Sequence, residues 1–109
     1  MTTILKKPRV VFVGGVERVE RSLRASGEEL GVDVDVHAGH MQGNAGTRLA
    51  ALVRRADLVV LVTGVNSHNA VQTAKKEAAR SGTPLQIMKF CGAATARALM
   101  AEMARAPAA

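Results

Sequence analysis

Four short apolar segments punctuate the sequence, and longer stretches with helical periodicity separate them. The apolar segments lie at residues 10–13, 32–37, 58–62 and 85–88. The first and third are continuous and rich in β-branched residues, which predicts strands covered on both faces. The second alternates valines with Asp33, Asp35 and His37. This alternation predicts a half-exposed strand at one edge of a sheet.

Each predicted strand is followed by a predicted helix. The first helix follows Gly14 and Gly15 and ends at Gly31, and its predicted buried residues are Val16, Val19, Leu23 and Leu30. The other three helices are predicted at residues 47–56, from about residue 67, and at 93–105. The βαβαβαβα order and short connections predict one three-layer α/β domain of flavodoxin-like or receiver-like type. Right-handed crossovers give a parallel four-stranded sheet in the order 2-1-3-4. We expect a single domain over residues 1–109, with a core over about 9–105 between a short flexible N-terminal arm and a short flexible C-terminal tail.

Composition narrows the classes of protein. Apolar residues make up 48% of the chain, but Phe12 and Phe90 are the only aromatic residues, so valine, leucine and alanine must form the core. The single cysteine, Cys91, excludes an internal disulfide and favours a reducing compartment. We see no signal peptide and no apolar segment near the roughly 20 residues of a membrane span. We therefore expect a cytoplasmic protein with no membrane partner.

The segment from residue 57 to 78 contains the best candidate site. In a sheet of this order, ligands bind in the crevice where the chain reverses direction, between the carboxyl ends of strands 1 and 3. Gly14 and Gly15 end strand 1, and Ser67, which can cap the next helix, is followed at once by His68. Lys75 lies two turns further along the same helical face. These five residues are the predicted cofactor-binding set.

His68 is the central residue of this hypothesis. The positive end of a helix dipole disfavours a nearby cation, and a neutral imidazole can bind a metal or haem iron. Haem is the preferred cofactor, because the chain offers one well-placed histidine, many apolar side chains and basic groups for propionates. Alternatively, His37, His40 and His68 together could bind zinc or another divalent metal. The structural alternative is a partly buried His68 bonded to a loop carbonyl.

The other candidate site residues also have simpler structural explanations. Lys75 could meet a cofactor carboxylate or simply extend along the helix surface. Gly14 and Gly15 lack the GxGxxG and GxxxxGK[ST] patterns of phosphate loops, so a tight turn is their simpler role. Cys91 sits at a predicted helix start, where a thiolate is favoured, but no partner histidine is evident. Without a nucleophile elbow or an acidic cluster, whether the protein is an enzyme is left open, with a non-enzymatic role favoured.

Charge and helix composition bear on the partners. The net charge of +6 makes a phosphate- or nucleic-acid-binding regulatory module the alternative function, although the chain has no aromatic pair for stacking bases. The preferred function is a sensor of gas, redox state or metal, or an accessory protein. Helix 93–105 is alanine-rich with few polar residues, which favours a homodimer centred on Leu99, Met100 and Met103.

Several segments resemble a bacterial family catalogued only as a domain of unknown function. They are VVFVGG, ALVRRADLVVLVTGVNSHNAV, the following AK and GTPLQIMK, over about residues 9–90. The most specific part is Ser67-His68-Asn69-Ala70-Val71 with Ala74-Lys75. Family members often have a cysteine where this chain has Ala78, and serines after the last strand where it has residues 90–92. The resemblance implies a compact α/β domain with the Ser-His pair in its crevice, and those two departures weaken a thiol-redox role.

Overall fold

The computed structural model describes residues 7–64 and 66–105. Its strands are β1 Arg9–Val13, β2 Asp33–His37, β3 Leu58–Val62 and β4 Leu85–Met88; its helices are α1 Glu20–Leu30, preceded by a 3-10 turn Glu17–Val19, then α2 Ala45–Arg55, α3 His68–Ser81 and α4 Ala93–Arg105. The predicted alternation of strands and helices is confirmed. None of these helices is long and apolar enough to cross a membrane.

The four strands form one parallel sheet in the order β2-β1-β3-β4, as the connections predict. Val11 pairs with Asp35 on one side and Val59 on the other, and Leu61 pairs with Ile87. The two continuous apolar strands therefore occupy the centre, and the alternating strand β2 lies at an edge. All four carboxyl ends lie at one end of the sheet, which is where the predicted site belongs.

Alternate side chains of the central strands point into two separate cores. The first core, on the side of α1 and α4, contains Val10, Phe12, Val60, Val62, Leu23 and Met100 among its buried members. The second, on the side of α2 and α3, contains Val11, Val13, Val59, Leu61, Leu49 and Ala74 among its buried members. Apart from Phe12, Met100 and Cys91, the two cores consist of valine, leucine and alanine, as the composition predicts.

The helix ends follow from local chemistry. Gly31 ends α1 in the left-handed conformation with φ of 73°, where a side chain is disfavoured. The 3-10 turn separates Val16 from α1, so this helix begins later than the strand-to-helix turn suggests. Helix α2 begins at Ala45, two residues before the predicted start at Thr47. The predicted arm lies mostly, and the tail entirely, outside the described residues.

Helix α4 corrects one expectation about assembly. Met100 is fully buried in the first core, and Leu99 and Met103 are partly buried against the same core. One side of α4, with Ala96 and Met100, is therefore covered by its own chain, because the helix packs beside α1. Ala94, Ala98 and Ala104 on the other side are exposed. Met100 cannot be the centre of an exposed contact surface. The large exposed apolar side chains are instead Ile87 of β4, 49% exposed, and Phe90 after it, 66% exposed.

Candidate functional site at the carboxyl edge of the sheet

The crevice between β1 and β3 is occupied by the side chain of Asn66. Its Nδ2 donates to the carbonyl oxygen of Val62 at 2.8 Å and to that of Val13 at 3.2 Å. Its Oδ1 accepts from the backbone N–H of Ser67 at 2.9 Å. One amide group thus satisfies backbone groups at the ends of both central strands and at the start of α3. Asn66 is the structural centre of this edge.

Two glycines make room for Asn66. A Cβ atom at Gly14 would lie 2.2 Å from Asn66 Nδ2, and one at Gly39 would lie 2.3 Å from Asn66 Oδ1. Both glycines also have positive φ, 88° and 93°. The N–H of Gly14 donates to the carbonyl oxygen of His37 at 2.8 Å. Gly14 therefore has a complete structural role in packing against Asn66 and bonding to the end of β2.

Ser67 joins α3 to the loop after β2. Its Oγ accepts from the N–H of Ala70 at 3.1 Å, which confirms the predicted N-cap. The same hydroxyl donates to the carbonyl oxygen of Gly39 at 2.6 Å. The loop of residues 38–44 is thereby drawn over the crevice. This bond brings the backbone just before His40 to the start of α3, just before His68.

His37 has an internal role. Its side chain is buried, its Nδ1 accepts from the N–H of Gly39 at 3.0 Å, and its Nε2 lies 3.1 Å from the carbonyl oxygen of Ala45. This pairing requires a neutral ring with the proton on Nε2. Burial lowers the pKa of His37, and the nearby Arg48 and His40 lower it further against the opposing hydrogen bond to Ala45. Both nitrogens are occupied, so His37 has no lone pair for a metal in this arrangement.

His40 and His68 are placed differently from His37. Both residues are exposed. Each directly follows one of the two residues joined by the 2.6 Å bond between Ser67 Oγ and the Gly39 carbonyl oxygen. The structure thus brings two of the three predicted histidines to one part of the carboxyl edge and assigns the third to the interior. The described residues contain no group of three or more histidine, cysteine or acidic side chains arranged to hold a metal.

The remaining predicted residues lie around this edge. Lys75 is exposed two turns along α3 from His68, and Gly15 is partly buried with φ of 54°. Phe90 lies beside Gly64, where an added Cβ would be 2.6 Å from the ring carbon Cε1. The ammonium of Lys89 is 5.7 Å from the centre of that ring. The edge therefore presents exposed imidazole, ammonium and aromatic groups.

Cys91 differs from the expectation for a cysteine at a helix start. It is buried in the first core, 8% exposed, and its Sγ donates weakly to the carbonyl oxygen of Gly92 at 3.7 Å. Burial raises the pKa of the Cys91 thiol. The neutral thiol is therefore favoured over the thiolate, and Cys91 acts as a small apolar core residue.

Asn66 is not among the site residues predicted from the sequence. An asparagine that lies shortly after a glycine and directly before a capping serine is typical of many loops. The local sequence therefore does not show whether its side chain bonds to the strand ends or lies in a surface turn. The available signal was topological. Because Asn66 follows β3 at the point where the chain order reverses, its amide can reach the free ends of both central strands.

Together the fold and this edge define a small doubly wound α/β domain whose crevice is closed by an amide and flanked by two exposed histidines. A family model described as "Uncharacterized protein conserved in bacteria (DUF2325)" matches residues 9–103. The chain belongs to this family, in agreement with the resemblance noted from its motifs. Comparisons with curated proteins and with solved structures gave no match.

Proposed function

We propose that this protein binds haem iron through His68 at the carboxyl edge of the sheet and acts as a cytoplasmic sensor or accessory protein. The observation that supports the proposal is that exposed His40 and His68 directly follow Gly39 and Ser67, which are joined by a hydrogen bond of 2.6 Å. His68 is the primary ligand, since it belongs to the first turn of a well-anchored helix. His40 is the candidate second ligand. The alternative cofactor is zinc or another divalent metal on the same two imidazoles.

Three exposed side chains on α3 and after β4 would suit a flat, anionic, largely apolar cofactor. Phe90 offers an exposed ring, and Lys75 and Lys89 offer exposed ammonium groups that would pair with propionate carboxylates. Asn66 and Ser67 serve indirectly, since their hydrogen bonds fix the start of α3 and hence the backbone of His68. Bound haem supplies iron that changes ligand or redox state, which is the chemistry a sensor requires.

Haem titration of the purified protein tests this function. We expect a saturable Soret absorbance band, with affinity reduced roughly tenfold or more by His68→Ala, since even changes beside a metal ligand typically cost that much. His40→Ala should shift the spectrum, because a second axial ligand is lost. Gln72→Ala provides the matched control, since Gln72 is exposed one turn beyond His68 on the same helix.

Three results would contradict the proposal. Wild-type protein that shows no saturable band has no haem site, and a band unchanged in the H68A/H40A double variant excludes both histidines as ligands. Equal weakening by Gln72→Ala would indicate a general effect on α3. If the protein ignores haem but binds one zinc ion that the double variant loses, the divalent-metal alternative replaces haem.

The homodimer is proposed on the β4 edge instead of on α4. The outer edge of β4 carries no charged side chain, and Ile87 and Phe90 are exposed there. Unpaired, uncharged edge strands readily add a strand from a second copy. Light scattering should give a dimer at micromolar concentration and a monomer for Ile87→Lys, a charge placed on the edge. A wild-type monomer, or a dimeric I87K protein, would contradict this interface.

A further inference from the structure

The positive charge of this chain is concentrated on one side of the sheet. Helices α2 and α3 carry six cationic side chains against one carboxylate, a net charge of +5 out of the +6 of the chain. The opposite layer, the 3-10 turn with α1 and α4, carries five cationic and five acidic side chains. The excess of positive charge therefore lies on α2 and α3, and the helices of the opposite layer are electrically balanced.

The one carboxylate of this layer is hidden beneath its cations. Glu77 has an 8% exposed side chain, and its Oε1 lies 3.4 Å from Arg54 Nη1 and 3.8 Å from Arg80 Nη1. Both arginines remain largely exposed, 53% and 72%. Glu77 therefore holds two guanidinium groups in place between α2 and α3 without presenting a negative charge to solvent. The exposed charged side chains of α2 and α3 are therefore all cationic.

Four more cations have no carboxylate partner among the described residues. They are Arg48, Arg55, Lys75 and Lys76, and all four are exposed. Over residues 7–64 and 66–105, the exposed large apolar side chains are Ile87 and Phe90, and both lie outside α2 and α3. A surface that inserts into a membrane needs large apolar groups beside its cations. A surface that follows a phosphate backbone needs only the cations.

We infer that the outer face of α2 and α3 is a docking surface for the phosphate backbone of duplex nucleic acid. Charge complementarity selects a polyanion, and the lack of large apolar groups on this face favours nucleic acid over an anionic membrane. Single strands are disfavoured, because their binding relies on aromatic side chains that stack on bases. This surface adjoins the carboxyl edge, because α3 begins at His68, and it shares Lys75 with the proposed cofactor site.

Fluorescence anisotropy with a labelled duplex DNA of arbitrary sequence tests the inference. With three to four phosphate contacts, we expect a slope of log affinity against log salt of roughly −3 to −4, a loss of about a hundredfold from 50 to 200 mM salt. The affinity should be the same for unrelated sequences. Arg55→Glu combined with Lys76→Glu should weaken binding at least tenfold at low salt.

The control variant reverses the same number of positive charges on the opposite layer of the domain. Arg18→Glu combined with Arg21→Glu changes two exposed arginines before and within α1, and it should alter affinity no more than about twofold because distant charges are screened. Equal losses in the two double variants would mean that net charge alone attracts DNA, and would overturn the inference. So would the absence of duplex binding at 50 mM salt. Binding to phosphatidylserine vesicles but not to duplex would reassign the face to a membrane surface.

Discussion

The two ends of the sheet satisfy their exposed strand termini by different chemistry. At the amino end, the guanidinium of Arg9 lies 3.6 Å from Asp33 and 3.5 Å from Asp35, and its backbone N–H donates to Asp57 at 2.8 Å. At the carboxyl end, the corresponding groups are the neutral side chains of Asn66 and Ser67. The amino end of the sheet is held by partly exposed ion pairs and a hydrogen bond to a carboxylate. The carboxyl end is held by direct hydrogen bonds between uncharged groups.

This difference shows which end of the sheet holds its backbone and side chains in the better-defined positions. Partly exposed ion pairs tolerate movement, because charges still attract when they separate and solvent screens them. Neutral hydrogen bonds to backbone carbonyls hold only over a narrow range of distance and angle. The carboxyl end is therefore the more sharply defined of the two, and it is the end that carries His40 and His68. A site for a coordinated ligand requires that definition.

The largest effect is expected at Asn66. Asn66→Ala leaves the carbonyl oxygens of Val13 and Val62 and the N–H of Ser67 without this partner, and should lower the free energy of unfolding by on the order of 3 kcal/mol. Urea denaturation monitored by circular dichroism measures this change. Asn66→Asp keeps the shape but cannot donate from an ionised carboxylate, so it should be destabilised as well. If both variants unfold like the wild type, the carboxyl edge is not organised by this amide.

An intermediate effect is expected at His37. Its pKa is lowered in the folded state, so the unfolded chain binds more protons, and stability falls as the pH drops below about 6.5, the ordinary value for histidine. The loss continues until the pH passes the folded pKa and then levels off. A protonated Nδ1 could no longer accept from the N–H of Gly39. Urea midpoints measured from pH 8 to pH 5 should record the decline.

His37→Gln provides the comparison for this pH dependence. It removes the titrating ring and should cost about 1–2 kcal/mol at pH 7.5, because two hydrogen bonds are replaced imperfectly. Its stability should then vary less between pH 8 and pH 5 than that of the wild type. A variant that declines as steeply as the wild type would assign the pH dependence to other groups.

The smallest effect is expected at the amino end. A double-mutant cycle between Arg9→Gln and Asp33→Asn should give a coupling energy below about 1 kcal/mol, the usual range for partly exposed pairs. The coupling should shrink further in 0.5 M sodium chloride, at about a 5 Å screening length. A larger coupling that salt does not reduce would show that this end is as sharply defined as the other, which would remove the contrast.

The fold was predictable from the sequence because it depends on periodicity and connection length. The continuous apolar strands at 10–13 and 58–62 and the Ser67 cap each report a local constraint, and they are confirmed. The alternation in β2 correctly predicts an edge strand, but exposure does not alternate along it, because His37 is buried. The site was less predictable, because it depends on contacts between distant residues. The pattern of residues 37–40 does not show which of its two histidines is buried and which is exposed. Only the tertiary contacts of His37, with Ala45 and Gly39, separate it from His40.

The Asn66 hydrogen bonds also have a kinetic consequence. The bond to Val13 joins residues 53 positions apart, so it can close only after β1 and β3 have come together. A contact made after the folding barrier contributes to the rate of unfolding and little to the rate of folding. Stopped-flow measurements on Asn66→Ala should therefore show faster unfolding with a nearly unchanged refolding rate. The amide that closes the crevice would then set how long a folded molecule, and any ligand at its edge, persists before the sheet opens.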